Sequence, residues 1–303
     1  MASGEDNDVT HHLRNAAMYA LGLGFMTLAW SKDKLRGYST PNPISADDLG
    51  ARIEYVHDVF ESWMRFLPGD FEIAGKDVLE LCPGSSRGTG AIFLAHGARS
   101  YHAVDAFPLA ARETPDFHEL VLDCLPDGEV SPDDVERARA IVRSRASEHF
   151  TYAVGRGFDV PRLCGGRSFD LIVSCAAFEH YDDIDRTIAD CSRVARPGCQ
   201  ALHIVDFQTH SRWIRDRDPN NIYRYPEPIY RLFAFPGQPN RRRPRHYRKA
   251  FQDNGWIEVS VARSRLVASE LAGPSTTGLA APFDGPDMDM DMLDGVVLAR
   301  RPN

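Results

Sequence analysis

Residues 77–90 of this chain read DVLELCPGSSRGTG, a short apolar run followed at once by a glycine-rich turn. A short apolar run that ends at turn residues is typical of a buried β-strand. Glycines allow the backbone to approach a ligand closely, and a helix that follows them directs its free N–H groups towards a negative group. A second apolar run, residues 101–105, ends in an acid. The two runs and the helix between them predict one β-α-β unit.

The acid at the end of the second run indicates the kind of ligand. Asp105 follows Gly90, the last glycine of the turn, by 15 residues. In nucleotide-binding β-α-β units, an acid at the end of the second strand hydrogen-bonds a ribose diol. The spacing therefore predicts that the turn binds a nucleoside.

The rest of the chain continues the alternation of strands and helices. Apolar runs predict strands at 152–154, 169–174 and 201–207, and two more near 256–265 and 293–300. This alternation predicts an α/β fold with a mostly parallel sheet and helices on both faces. Helices are predicted at about 12–30, 46–67 with Ser45 as N-cap, 131–148 with Ser131 as N-cap, 183–195 and 244–253.

The domain organisation follows from these elements. Residues 1–66 are expected to form a helical cap, and residues 67–303 the catalytic domain with lid insertions near 111–148 and 207–250. The apolar stretch at 16–30 is too short and too interrupted by glycine to span a membrane. It also lacks the basic start and the small-residue cleavage site of a signal peptide. We therefore expect a cytoplasmic protein without a membrane partner.

Charge and cysteine usage exclude some functions and favour others. The formal net charge is −8 and the sequence pI is about 5.8, which opposes non-specific binding to nucleic acid. The six cysteines form no Cys-x-x-Cys pair, so free thiols are expected and no metal site is predicted. The basic run at 241–249 is interpreted as a solvated helix start, with an anionic substrate or a partner subunit as the next alternative and nucleic acid as the third, because the net charge opposes it. The apolar N-terminal helix has little to pack against in a lone chain, which predicts a homo-oligomer through that helix.

Three motifs resemble those of the class I S-adenosylmethionine-dependent methyltransferases. Residues 78–84 (VLELCPG) resemble the first motif of that family, with an acid two residues before a cysteine–proline–glycine turn. Residues 169–174 followed by 178–180 look like its fourth strand and the exit from it, and residues 193–198 resemble the turn before its fifth strand. The matches keep the family's order over residues 76–206. The resemblance implies a Rossmann-like fold with a seven-stranded sheet, S-adenosylmethionine as cofactor and a small-molecule acceptor.

The resemblance also implies roles for individual residues. In the family, the first-motif acid and backbone hold the methionine end of the cofactor, and the acid after strand two holds the ribose. Residues next to that acid flank the adenine, and the end of strand four lies beside the methionine portion. The cofactor-binding residues implied in this way are Glu80, Cys82, Pro83, Gly84, Gly88, Asp105, Ala106, Phe107, Ser174 and Cys175.

The chain departs from the family pattern at two points. Cys82 stands where the family usually has glycine, and residues 155–157 (GRG) supply no acid after the third strand, where the family often bonds the adenine amino group. These departures keep open a non-methylating cyclase or binding protein on the same fold. A nicotinamide-binding enzyme is the third alternative, and Glu80 and the turn at 196–198 speak against it.

The sequence says less about the identity of the methyl acceptor than about the cofactor. Methyl transfer requires alignment of the nucleophile, the methyl group and sulfur, and a base only where the acceptor loses a proton. His180 and His210 are the candidate catalytic bases, and His203 is interpreted as a core residue. Aromatic residues outside the cofactor half predict a lid over a bulky, mostly apolar secondary metabolite, methylated on a prenyl, alkene or aromatic carbon or on oxygen. The residues expected to contact it are Tyr19, Phe178, Phe207, Trp213 and Tyr230.

Overall fold

The structure is a computed structural model that describes residues 3–37, 48–144 and 147–303. The expected cap residue Ser45 lies outside the described residues. The second helix begins at Leu49, and the side chain of Asp48 accepts a hydrogen bond of 3.0 Å from the Ala51 N–H. A carboxylate in this position satisfies one of the unpaired N–H groups of a first helical turn.

Within the described residues, one sheet contains seven strands: β1 (Asp77–Leu81), β2 (Ser100–Asp105), β3 (Phe150–Val154), β4 (Phe169–Cys175), β5 (Ala195–Asp206), β6 (Ile257–Leu266) and β7 (Met292–Arg300). Their spatial order is β3-β2-β1-β4-β5-β7-β6. The first five strands run parallel, whereas β7 is antiparallel to both of its neighbours. The predicted mostly parallel, seven-stranded Rossmann-like sheet is confirmed.

The helices of the described residues are α1 (Ser3–Arg36), α2 (Leu49–Phe66), α3 (Gly88–Ala95), α4 (Pro115–Asp123), α5 (Pro132–Arg143), α6 (Val160–Cys164), α7 (Ile184–Val194), α8 (Arg212–Arg215), α9 (Glu227–Leu232), α10 (Pro244–Asp253) and α11 (Ser269–Thr276). The Ser131 hydroxyl caps α5 as predicted, but α5 ends at Arg143 rather than near residue 148. None of these helices is both long enough and apolar enough to cross a membrane.

Two apolar cores lie on opposite faces of the sheet. Successive residues of a strand point to opposite faces, so each parallel strand contributes to both cores. Val78 packs with residues of α2, α3, α4 and α5, whereas its neighbour Leu79 packs with residues of α6, α7 and α10. Burial on both faces explains why these strands are nearly continuous apolar runs in the sequence.

A third apolar cluster lies beyond β5, in the region predicted as a lid. It includes Tyr223 and Tyr225, and Tyr19, Leu23 and Met26 of α1 pack against it. Residues of this cluster pack on one another, so the aromatic residues of this region stabilise the lid segment itself.

The expectation of a solvated helix start is wrong for two arginines of the basic run at 241–249, whereas Arg242, Arg245 and Lys249 are exposed. Arg241 is 5% exposed and Arg243 is fully buried. Arg241 donates to the carbonyls of Ile222 and Tyr225, and Arg243 donates to those of Met288 and Met292, among others. The five N–H donors of a guanidinium can bind several loop carbonyls at once, which makes a buried arginine tolerable here.

Candidate active site

A cavity of about 570 Å³ opens at the carboxyl ends of β1, β2 and β4. Ligands bind at this edge in open parallel sheets, and the volume lies within the roughly 300–1,000 Å³ of small-molecule pockets. The loops that follow these strands form its floor, and α2 and the segment 236–237 form its walls. Most of the residues expected to bind a cofactor line this cavity, namely Glu80, Cys82, Pro83, Gly84, Asp105, Ala106, Phe107 and Cys175.

Two expected cofactor residues lie behind the cavity wall instead. Ser174 is fully buried, and its hydroxyl shares a hydrogen bond of 2.9 Å with His203 Nδ1. Gly88 begins α3, and a Cβ atom there would lie 2.9 Å from the methyl groups of Val56. Gly88 therefore permits the close contact between α3 and α2. His203, expected in the core, is fully buried.

The glycine-rich turn adopts a backbone conformation that normally requires glycine. Cys82 has φ +54° and Gly84 has φ +68°, both in the left-handed region. The Cys82 N–H donates to the Val104 carbonyl at 2.7 Å, and its Sγ lies 3.3 Å from the Tyr181 hydroxyl. Burial raises the pKa of the Cys82 thiol, so this side chain remains a neutral thiol at physiological pH.

Glu113 holds the turn in place, a role that no sequence pattern indicated. Its buried carboxylate accepts hydrogen bonds from the Ser86 hydroxyl at 2.8 Å and from the Arg87 N–H at 3.0 Å. His118 Nε2 lies 3.0 Å away. Burial would raise the pKa of Glu113, but its contacts with His118 and Arg87 outweigh burial and lower it. Glu113 lies 26 residues after Arg87 in an irregular segment, so only the fold brings the two together.

Glu80 is the buried acid of the turn. It is 4% exposed, and its Oε2 accepts hydrogen bonds from the Thr89 hydroxyl and, at 2.6 Å, from the Tyr101 hydroxyl. Burial raises its pKa to about 7. The carboxyl group is therefore held in one orientation and changes charge near neutral pH.

Asp105 provides an unsatisfied acceptor at the cavity. One carboxylate oxygen accepts a hydrogen bond of 3.0 Å from the Phe107 N–H. The other is buried and has no hydrogen-bond partner among the described residues. Burial raises the Asp105 pKa to about 6. A buried acceptor without a partner is costly, and a ribose hydroxyl would satisfy it, so the residues present fit the nucleoside part of S-adenosylmethionine.

A second group of polar residues follows β4 and β5. His180 lines the cavity, and its Nδ1–H donates to the Gly237 carbonyl at 2.6 Å. Its ring stacks on that of His210 at 4.8 Å between centroids. His210 is not among the cavity-lining residues, and its Nε2 lies 3.6 Å from an Asp206 carboxylate oxygen. Burial, with the neighbouring His210, lowers the pKa of His180 to about 4.

Glu179 completes this group, although the sequence did not single it out as a site residue. It is 3% exposed, and neither carboxylate oxygen makes a hydrogen bond of ordinary geometry with any described residue. Burial raises its pKa well above the usual range. One nitrogen of His180, one of His210 and one oxygen of Glu179 all lie within 4.8 Å of one another.

None of the five aromatic residues expected to contact the acceptor lines the cavity. Phe178 and Phe207 are buried in the sheet core, and Tyr230 lies under the Arg241 guanidinium at 3.9 Å. Tyr19 packs against Tyr225, and Trp213 is 77% exposed. The cavity walls instead carry Tyr55, Val56, Val59, Leu109, Phe158 and Tyr181.

A comparison with protein families agrees with the methyltransferase motifs. A family model described as a methyltransferase domain matches residues 128–202, which run from the loop before α5 into β5. The glycine-rich turn precedes the matched range. A search of curated protein sequences gives no match.

Several solved structures are similar at low identity. The CurJ carbon methyltransferase is 15% identical with a TM-score of 0.47, covering 99% of this chain and 71% of that one. A Mesorhizobium loti S-adenosylmethionine-dependent methyltransferase is 16% identical with a TM-score of 0.43, covering 84% of this chain and 100% of that one. The Haemonchus contortus phosphoethanolamine N-methyltransferase 2, in complex with S-adenosylmethionine, is 13% identical with a TM-score of 0.44, covering 90% of this chain and 59% of that one. At these sequence identities and TM-scores, the similar structures do not indicate which acceptor this chain uses.

Three observations agree with one another: the order of the motifs, a methyltransferase-domain match, and a seven-stranded sheet with a cavity at its carboxyl edge. The motifs cover the turn that the domain match leaves out, and the domain match covers β3 and β4 and extends into β5. Residues 128–202 match a methyltransferase domain, and the sheet that contains them has the Rossmann-like arrangement predicted from the sequence.

Proposed function

We propose that this enzyme transfers a methyl group to a bulky, mostly apolar small molecule, a secondary metabolite, on an oxygen or a carbon atom. The observation that carries the proposal is a single cavity that extends from Asp105 to His180. A cofactor bound at one end and an acceptor at the other would share this space. Val56, Val59 and Phe158 give the walls an apolar character suited to such an acceptor.

The cofactor would be held by residues of the turn and of the loop after β2. The unpaired oxygen of Asp105 would accept from a ribose hydroxyl, and Ala106 and Phe107 would flank the adenine. Glu80, with the backbone of Cys82, Pro83 and Gly84, would hold the methionine end, and Cys175 would lie beside it. These roles agree with the position of the residues around one cavity.

Bound S-adenosylmethionine supplies a methyl group on a sulfonium, and its sulfur leaves as a neutral thioether. The protein would contribute alignment and exclusion of water, which account for much of the rate of such a displacement. An acceptor hydroxyl that is methylated loses a proton, whereas a carbon acceptor loses one only after the new bond forms. We propose that His180 contacts the acceptor at the cavity wall and that His210 supports it from behind. Unchanged turnover in both His180→Ala and His210→Ala would exclude this role.

Three further proposals concern the oligomeric state of the enzyme, its location in the cell and the class of its acceptor. A homo-oligomer through α1 is supported by apolar side chains that α1 exposes to solvent. A cytoplasmic location agrees with the six cysteines, which lie as free thiols. The net charge of −8 supports a small-molecule acceptor over a nucleic acid.

Calorimetric titration with S-adenosylmethionine and S-adenosylhomocysteine tests the cofactor site. We expect binding to the wild type and a loss of roughly 10-fold to 100-fold in Asp105→Ala, because a hydrogen bond to a charged group contributes about 1.5–3 kcal/mol. Asp70→Ala, an exposed aspartate that does not line the cavity, is the matched control. Absence of binding by the wild type would favour a non-methylating cyclase or binding protein on this fold.

A further inference from the structure

We propose that Glu179, His180 and His210 bind a divalent transition metal ion, and that this ion faces the cavity and holds an oxygen atom of the acceptor. Metal binding stands independently, whereas the contact with the acceptor rests on the proposed function. The three side chains follow two neighbouring parallel strands, β4 and β5, whose carboxyl ends meet at one edge of the sheet. The fold therefore brings together residues that are 30 positions apart in the sequence.

The first support is the state of Glu179. It is almost fully buried, and neither carboxylate oxygen has a hydrogen bond of ordinary geometry among the described residues. Asp206 and Asp294 lie close enough to add negative charge at the same place. Buried charges in proteins are paired or coordinate a metal. A cation at this point would compensate a carboxylate that the described residues leave unpaired.

The second support is that both imidazoles are oriented in the way that metal ligands are. A metal-binding histidine usually donates its other ring N–H to a carbonyl or a carboxylate, which fixes the tautomer. His180 donates Nδ1–H to the Gly237 carbonyl, which leaves Nε2 with the lone pair. The Asp206 carboxylate lies 3.6 Å from His210 Nε2, while His210 Nδ1 is buried without a partner among the described residues. Each histidine therefore keeps one free nitrogen.

The dimensions suit a first-row transition metal. Metal–ligand bonds of about 2.0–2.2 Å place neighbouring ligand atoms roughly 3.4 Å apart. The three candidate ligand atoms lie within 4.8 Å of one another, so side-chain movements of about 1 Å suffice. Two imidazoles and one carboxylate select zinc, iron, cobalt or nickel over magnesium or calcium, which prefer oxygen ligands.

The position of His180 determines what the ion would do. Three protein ligands leave at least one coordination position open, as in catalytic zinc sites. Because His180 lines the cavity, the open position would be directed towards the acceptor. A metal ion there would orient an acceptor oxygen and favour its deprotonated form. The site therefore favours acceptors that carry a hydroxyl, carbonyl or carboxylate group.

The test is a titration of chelator-treated enzyme with Zn²⁺ alone, followed by calorimetry, and with Co²⁺, followed by visible absorption. We expect one ion per chain in the wild type and at least a 100-fold loss of affinity in Glu179→Gln and in His210→Ala. Asp206→Asn, which removes the carboxylate beside His210 and also the ion pair with Arg215, should weaken binding about 10-fold to 100-fold. Two control variants should bind as the wild type does: His149→Ala, at an exposed histidine just before β3, and His12→Ala, at an exposed histidine in α1.

Circular dichroism of each variant establishes that it is folded before its metal affinity is compared. Glu179→Gln preserves side-chain volume, so it provides a folded test even if His210→Ala unfolds. Absence of stoichiometric Zn²⁺ and Co²⁺ binding in the wild type, or equal binding in Glu179→Gln, would overturn the proposal. Titration of the same samples with S-adenosylmethionine separates the outcomes, because cofactor binding without metal binding would leave the proposed methyl transfer intact.

Discussion

Cys82 has a backbone conformation in which a side chain is costly. A left-handed residue other than glycine is less stable by roughly 1–2 kcal/mol, because its Cβ approaches the next carbonyl. The methyltransferases whose first motif this turn resembles usually have glycine at this position, and the φ of +54° supplies the physical reason. The departure seen in the sequence is therefore expected to cost backbone energy.

Replacement of Cys82 separates this backbone cost from the loss of the thiol. Cys82→Gly and Cys82→Ala both remove the sulfur, but only glycine relieves the left-handed conformation. We expect Cys82→Gly to exceed Cys82→Ala in the free energy of unfolding by about 1 kcal/mol, the reverse of the usual order of these residues. Urea unfolding of both variants measures the difference. An alanine variant as stable as the glycine variant would contradict a strained turn.

Glu80 makes stability depend on pH. Its pKa is raised from 4.5 to about 7 in the folded protein. Between these pH values the folded chain retains a proton that the unfolded chain has released, so the free energy of unfolding falls as pH rises through this window. Glu80→Gln should flatten this decline, an effect of up to about 3 kcal/mol between pH 4.5 and pH 7.

The pH effect is measured as the difference between wild-type and variant unfolding curves. Other buried acids, Asp105 among them, contribute to the wild-type profile, and subtraction of the Glu80→Gln curve isolates the single group. Glu72→Gln, an exposed glutamate, is the control and should leave the profile unchanged. Parallel profiles for the wild type and Glu80→Gln would show that Glu80 keeps an ordinary pKa.

At the scale of elements, the strands could be predicted from the sequence because most of them are buried within the sheet. Burial on both faces gives the inner parallel strands apolar runs, and predicted and observed positions overlap for all seven strands, including the edge strand β3. Short helices such as α4 and α6 gave no such periodic signal and were missed. The start of α4 nevertheless matters, because Glu113, two residues before it, bonds the glycine-rich turn.

Glu113 is not part of the glycine-rich turn, but its loss should destabilise that turn. Glu113→Ala removes the acceptor of Ser86 and Arg87 and the close contact with His118, and breaking a buried charged pair typically costs about 3–5 kcal/mol. We expect a lower free energy of unfolding and weaker binding of S-adenosylmethionine. Glu119→Ala is the matched control, because Glu119 in the same segment forms only an exposed ion pair with Arg143. Equal effects of the two variants would argue against a role for Glu113 in the turn.

At the scale of the whole molecule, α1 presents apolar side chains to solvent. Leu13, Leu21, Leu28 and Leu35 are 69%, 52%, 66% and 85% exposed, at successive intervals of eight, seven and seven residues. Apolar residues at intervals close to seven lie along one stripe of a helix, as in a coiled-coil seam. A second copy of the chain, carrying the same stripe, could cover it.

Charged substitutions in this stripe test the proposed oligomer. The double substitution Leu21→Glu and Leu28→Glu should reduce the mass measured by light scattering to that of a single chain, because like charges would face each other across the interface. A double substitution of Thr27→Glu and Ala29→Glu, exposed neighbours in α1, is a charge-matched control. A mass that is the same in the wild type and in the leucine variant would exclude α1 as the interface.

The sequence by itself determined the strands, the glycine-rich turn and its two acids. These features depend on local rules: apolar runs for strands buried on both faces, glycine for tight turns, and an acid at a strand end. Only the tertiary structure decided which distant residues meet. Packing between separate segments brings Glu113 to the turn and His210 beside Glu179 and His180, and it buries Arg241. The aromatic residues expected over the acceptor lie outside the cavity for the same reason, since no local pattern distinguishes a ring in a core from one that lines a cavity.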